Sequence, residues 1–64
     1  MIVRIKDDKE NVLMTATMNK APKQNEYINI NNIAYIITRV GFEYHNIFDA
    51  FFRRLKTFVI IKQL

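Results

Sequence analysis

Asn31 and Asn32 are the only residues between two β-prone runs, Tyr27-Ile28-Asn29-Ile30 and Ile33-Ala34-Tyr35-Ile36-Ile37. A two-residue reversal between antiparallel strands needs positive φ, which asparagine tolerates better than most side chains. The stretch Glu26 to Tyr44 therefore reads as a β-hairpin. With the two asparagines at its turn, Ile30 faces Ile33 and Ile28 faces Tyr35, while Ile37 continues on the same side. Those five residues form one apolar face. Val40, Phe42 and Tyr44 are out of phase with it, and a strand changes face only by gaining a residue, so a β-bulge is expected between Thr38 and Gly41. Gly41, the only glycine, suits such a bend. It lets the long strand curl from one layer of a small core into the next.

The rest of the chain completes a β pattern. From Val3 the N-terminal stretch alternates, with Val3 and Ile5 apolar and Arg4 and Lys6 basic, as a half-buried strand should. Asp7 to Asn11 is polar and reads as a turn. Val12 to Met18 resumes a strand, with Val12, Met14, Ala16 and Met18 on one side and Leu13, Thr15 and Thr17 on the other. Asn19 to Asn25, with the lone proline Pro22, is the loop joining two hairpins. After His45, the residues Ile47, Phe48, Phe51, Phe52 and Leu55 recur at helical spacing. Asn46 is placed to cap that helix, Asp49 sits near its positive end, and Arg53 and Arg54 sit near its negative end. Ile47 to Leu55 reads as a short helix, with a wide aromatic loop or a helix running on to the C-terminus as alternatives. Thr57 to Ile61 is β-branched and aromatic and reads as a final strand.

The order β-β-β-β-(short helix)-β predicts a mostly β fold, a single domain over residues 1–64. Its form is a five-stranded antiparallel SH3-like barrel or curled sheet with a short helix or loop before the last strand. Sixty-four residues lie near the lower limit for an unaided core, and no cysteine is present to staple it. Half the chain is hydrophobic, with five Phe and three Tyr, more large apolar groups than so small a core hides. Some are expected at the surface or in a subunit contact.

The segment Ala21-Pro22-Lys23-Gln24-Asn25-Glu26-Tyr27-Ile28, continuing through Ile30 to Val40, resembles a pattern in small phage and mobile-element proteins. There a proline, a turn ending in Gly-Glu, a short strand, a turn and a Tyr-x-Val strand follow one another. Asn25 stands where that pattern usually has glycine. The resemblance covers about a third of the chain. It implies a small, mostly β architecture and a viral or mobile-element origin, and it carries no catalytic residue.

Several function classes are disfavoured by composition. There is no serine or cysteine and only one histidine, so hydroxyl or thiol triads with an imidazole base are nearly excluded, and a single glycine makes no phosphate loop. An enzyme is not expected, nor a cofactor. Cysteine absence suits a reducing compartment. Met1 to Glu10 has no apolar signal core, and no apolar run reaches membrane-spanning length. A cytoplasmic protein with no membrane partner is the expectation. Glu43 and His45 share a strand face, with Asp49 nearby, but such a trio is more often a strand end and a solvated charge than a metal site. Asp7, Asp8 and Glu10 lack the glycine and ligand spacing of a calcium loop. Tyr27, Tyr35 and Tyr44 are more often packing residues than base-stacking ones.

The net charge is +4 and the pI about 9.7, a range in which nucleic acid is considered. The cations are scattered except at Arg53, Arg54 and Lys56. Those three follow Phe48, Phe51 and Phe52 within nine residues, which makes this the most suggestive cluster. It admits three readings. The helix closes one end of the barrel with its Phe side chains; or it is a protein-contact centre, since these types are enriched there; or it stacks and neutralises single-stranded nucleic acid, with Arg39 and Lys62 as further phosphate contacts. The leading expectation is a non-catalytic interaction module binding another protein or itself, an accessory protein of a phage or mobile element. The alternative is a basic nucleic-acid-binding barrel.

Overall fold

The computed structural model describes residues 1–64. Its strands are β1 (Ile2–Lys6), β2 (Val12–Thr17), β3 (Tyr27–Ile30), β4 (Ile33–Glu43) and β5 (Lys56–Gln63), with one helix, α1 (Ile47–Phe51), before the last strand. They form one sheet in the order β2-β1-β5-β4-β3, curled into a half-barrel.

The central hairpin forms as its sequence dictates. Asn31 and Asn32 have φ of 52° and 66°, the positive values a primed two-residue turn needs. Ile30 pairs with Ile33 and Ile28 with Tyr35. Asn25, in the place usual for glycine, is also left-handed at φ 71°. From there the ladder extends backwards, since Ile37 N–H donates to Glu26 O and Asn25 N–H donates to Ile37 O.

The sheet is mixed, which corrects the antiparallel expectation. β1 pairs with β2 antiparallel but with β5 in parallel, Val3 opposite Thr57 and Ile5 opposite Val59. The reason lies in the loop Asn19 to Asn25, which carries the chain from the β2 edge to the opposite edge at β3. The hairpin β3–β4 then returns through β5, and the two halves meet along β1 and β5 running the same way. Only a long crossover, here most of the chain, permits such a parallel pair.

The bulge between β4 and β5 falls at Thr38, between Ile37 and Arg39. It produces the change of face that the sequence phase demanded, so that Ile37 and Val40 both turn inward. Its extra residue is Thr38, whose hydroxyl donates to Ile60 O at 3.2 Å. Gly41 is not the bend. It has no positive φ; it stands opposite Phe58, and a Cβ there would lie 2.5 Å from that ring. We expect Gly41→Ala to displace the ring and cost about 1–3 kcal/mol, read as a lower thermal midpoint. An unchanged midpoint would show that the ring is not seated on the glycine.

The core lies on the inner face, where Val3, Ile5, Ile37, Val59 and Ile61 are buried. Ala16, Met18, Ile28, Ile30, Tyr35 and Val40 pack around them. The set is small, and the sheet stays open at β2 and β3. A second bulge, where the β1–β2 register slips past Leu13, shifts Val12 out of step with Met14. No helix is long and apolar enough to cross a membrane.

Candidate functional site

β4 and β5 are joined by the segment Tyr44 to Leu55, and α1 sits in it. Asn46 caps the helix, its Oδ1 accepting from Asp49 N–H at 2.8 Å, while Asp49 Oδ2 accepts from His45 N–H at 3.3 Å. This reciprocal pair satisfies two donors at the helix entrance and turns the Asp49 carboxylate inward, where it is buried. The helix is shorter than Ile47 to Leu55 and ends at Phe51. Arg53 N–H donates to Ala50 O and Arg54 N–H to Asp49 O, the two bonds of a Schellman closure with Arg53 left-handed at φ 56°. Sequence reasoning missed that stop because the position is normally glycine, and arginine gives no such signal.

The helix packs against no strand. Ile47, Phe48 and Phe51 are 78%, 69% and 79% exposed, and Phe52 and Leu55 are also open. This overturns the reading in which the Phe side chains close the barrel. Phe51 and Phe52 meet edge to face at 5.2 Å, and the Arg54 guanidinium lies 5.1 Å from the Phe52 ring centre. Neither Arg53, Arg54 nor Lys56 forms an ion pair. Phe42, near the end of β4, and Tyr44 are also exposed.

Of the expected cluster, then, Phe48, Phe51, Phe52, Arg53 and Arg54 stand together on this segment, and Lys56 follows as the first residue of β5, opposite Glu43. Arg39 and Lys62 do not join them. Arg39 lies on the outer sheet face, paired with Glu10 at 3.2 Å and set 5.6 Å from the Phe58 ring. Lys62 is exposed opposite Ile36, roughly 20 Å from Lys56 along β5 at about 3.3 Å per residue. Tyr35 packs on the core, while Tyr27 and Tyr44 are exposed. Glu43 is no solvated charge: it takes Lys6 at 2.8 Å and Arg4 at 3.7 Å. That outer-face cluster left no clear mark in the sequence, where Arg4 and Lys6 read as ordinary outward charges.

Glu43, His45 and Asp49 do not converge as metal ligands, and no group of three such residues does elsewhere. His45 sits where α1 joins the sheet. Its Nε2 is buried without a hydrogen bond, as is Glu43 Oε1, which has only the longer ion pair to Arg4. Desolvation, then Arg4, and less strongly Lys56, hold the imidazole below its usual 6.5, against Glu43 and Asp49, which oppose the shift. The unfolded chain therefore binds a proton at a pH where folded His45 does not. Stability is complete above 6.5 and falls as pH drops from there toward the lower folded value. Denaturation midpoints between about pH 8 and about pH 5 should show this slope in the native chain and a flatter one in His45→Gln. Equal slopes would contradict it.

The largest hollow is an open groove away from this segment, lined by Met18, Pro22, Tyr27, Ile28 and Ile37 with Lys20, Lys23 and Glu26. No protein-family model, no curated protein and no solved structure matches the chain.

Proposed function

We propose that this chain is a non-catalytic protein-interaction module, a cytoplasmic accessory protein of a phage or mobile element. A small β scaffold holds out a basic aromatic knob, Phe48, Phe51, Phe52, Arg53, Arg54 and Lys56, to another protein or a second copy. One observation carries the reading: α1 rests on no strand, and its large apolar side chains are open. Exposed aromatic groups rimmed by polar ones mark contact surfaces, and Phe and Arg are types enriched in them. Burying each of these side chains contributes about 1.5–3 kcal/mol. Against about 4–15 kcal/mol lost on association, the apolar groups alone give a weak complex, and the arginines supply the remainder.

The test is a photo-reactive phenylalanine analogue placed at Phe51, and separately at Leu13, which is exposed on β2. Protein adducts formed at Phe51 and absent at Leu13 are expected. Adducts at both positions alike, or at neither, would contradict the reading.

A nucleic-acid reading has one observation in its favour, the three unpaired cations with Arg54 held over an aromatic ring. Labelled single-stranded and duplex oligonucleotides at two salt concentrations decide it. Affinity that is absent at low salt, or that fails to weaken as salt rises, removes it.

A further inference from the structure

We propose that the partner of the knob is a foreign acidic protein surface, an apolar cleft rimmed by Asp or Glu, and not a second copy of this chain. The inference rests on reading α1 as a contact surface and adds the chemistry of what covers it.

The charges of the segment are one-sided. Between Tyr44 and Lys56 the only acid is Asp49, buried with its carboxylate turned to His45 N–H. Arg53 and Arg54 therefore stand beside open aromatics with no carboxylate of their own. Arg53 holds a left-handed position, φ 56°, where glycine carries no penalty and a side chain does. A fold that keeps arginine there forgoes stability, which is intelligible when the guanidinium is needed outside. The Arg54 guanidinium lies over the Phe52 ring at 5.1 Å, so its charge stands beside an exposed aromatic side chain.

A second copy is poorly equipped to answer these charges. The chain has six acids. Asp7 is taken up by the backbone of Lys9 and Asn11, Glu10 by Arg39, Glu26 by Lys23 N–H, Glu43 by Lys6, and Asp49 by His45 N–H. Asp8 alone is unengaged. A symmetric contact through the knob would also bring arginine to arginine, which is costly once desolvated. Nucleic acid is answered less well, because a strand needs a track of cations. Here Arg39 is committed to Glu10, and Lys62 lies far along β5.

The experiment pans a random-peptide phage library on the full chain, then measures one synthesised ligand against four proteins: native, Arg53→Gln/Arg54→Gln, Phe48→Ser/Phe51→Ser, and Arg53→Gly. Expected are peptides combining apolar anchors with Asp or Glu. Affinity should fall about tenfold or more in the arginine pair, and again between about 50 and about 300 mM salt. Arg53→Gly should raise the thermal midpoint while weakening binding. Ligands without acids, or binding that ignores the arginines yet is lost in the phenylalanine pair, overturn the acidic partner and leave the contact reading standing. Binding that ignores both pairs overturns both readings. A library yielding no ligand for this face, a salt-resistant dimer abolished by Phe48→Ser/Phe51→Ser, or tighter binding to a labelled oligonucleotide or to phosphatidylserine vesicles each overturns the proposal.

Discussion

Ile37→Ala should bring the domain close to unfolding at ordinary temperature. Ile37 is fully buried where β4 crosses β5, facing Ile61 and packed among Val3, Ile5 and Val59. Removing its outer carbons leaves a cavity in a core of five residues that has little around it to relax. Such truncations cost about 2–5 kcal/mol. At about 0.05–0.15 kcal/mol per residue a chain this short has roughly 3–10 kcal/mol in total. A loss of about 3 kcal/mol lowers the midpoint by roughly 12–24 °C in a domain of this size. Calorimetry or circular dichroism on heating reads the result, and a shift of only a few degrees would mean that the core lies elsewhere.

The second large effect is an asymmetry. Lys6, with a side chain 9% exposed, has its ammonium 2.8 Å from Glu43 Oε2 and 4.5 Å from the centre of the Phe58 ring; Glu43 is 25% exposed. Replacing the anion strands a buried ammonium beside Arg4, with only an aromatic face to answer it. Replacing the lysine leaves Glu43 with Arg4, which is still 3.7 Å away. Glu43→Met should therefore cost about 3 kcal/mol, the low end for a broken buried pair because some water reaches Glu43, and Lys6→Met about 1 kcal/mol. The double substitution should be less harmful than Glu43→Met alone, since an apolar pair of similar bulk needs no partner. Urea denaturation of the four proteins gives the cycle. Equal single effects would contradict the asymmetry, and a double variant equal to the sum of the singles would show that the two groups do not depend on each other.

What could be read from the sequence was what is local. Asn31 and Asn32 announced the turn because few other side chains accept its φ, and once the turn was set, alternation fixed the register of Ile28, Ile30, Tyr35 and Ile37. The phase break after Ile37 announced a bulge between Thr38 and Gly41, and it falls at the N-terminal limit of that range, at Thr38. The parallel union of β1 and β5 was not legible, since no local pattern records which distant strand a strand will meet. Lys6 was misread for a related reason: alternation says which face a residue points to, but not whether a glutamate and a phenyl ring from two other strands will cover that face. The helix gave the subtlest ambiguity. An apolar stripe at Ile47, Phe48, Phe51, Phe52 and Leu55 has the same period whether its own sheet covers it or another molecule does, so the cluster could be located without knowing what it was for.

The unfolding free energy of Phe48→Ser/Phe51→Ser decides between those cases. An aromatic helix standing clear of the sheet gives a variant within about 0.5 kcal/mol of the native chain, as for other exposed substitutions. A loss of 3 kcal/mol or more, as for a buried phenylalanine, would mean that the rings close the barrel after all and that no uncovered surface remains there to bind a partner.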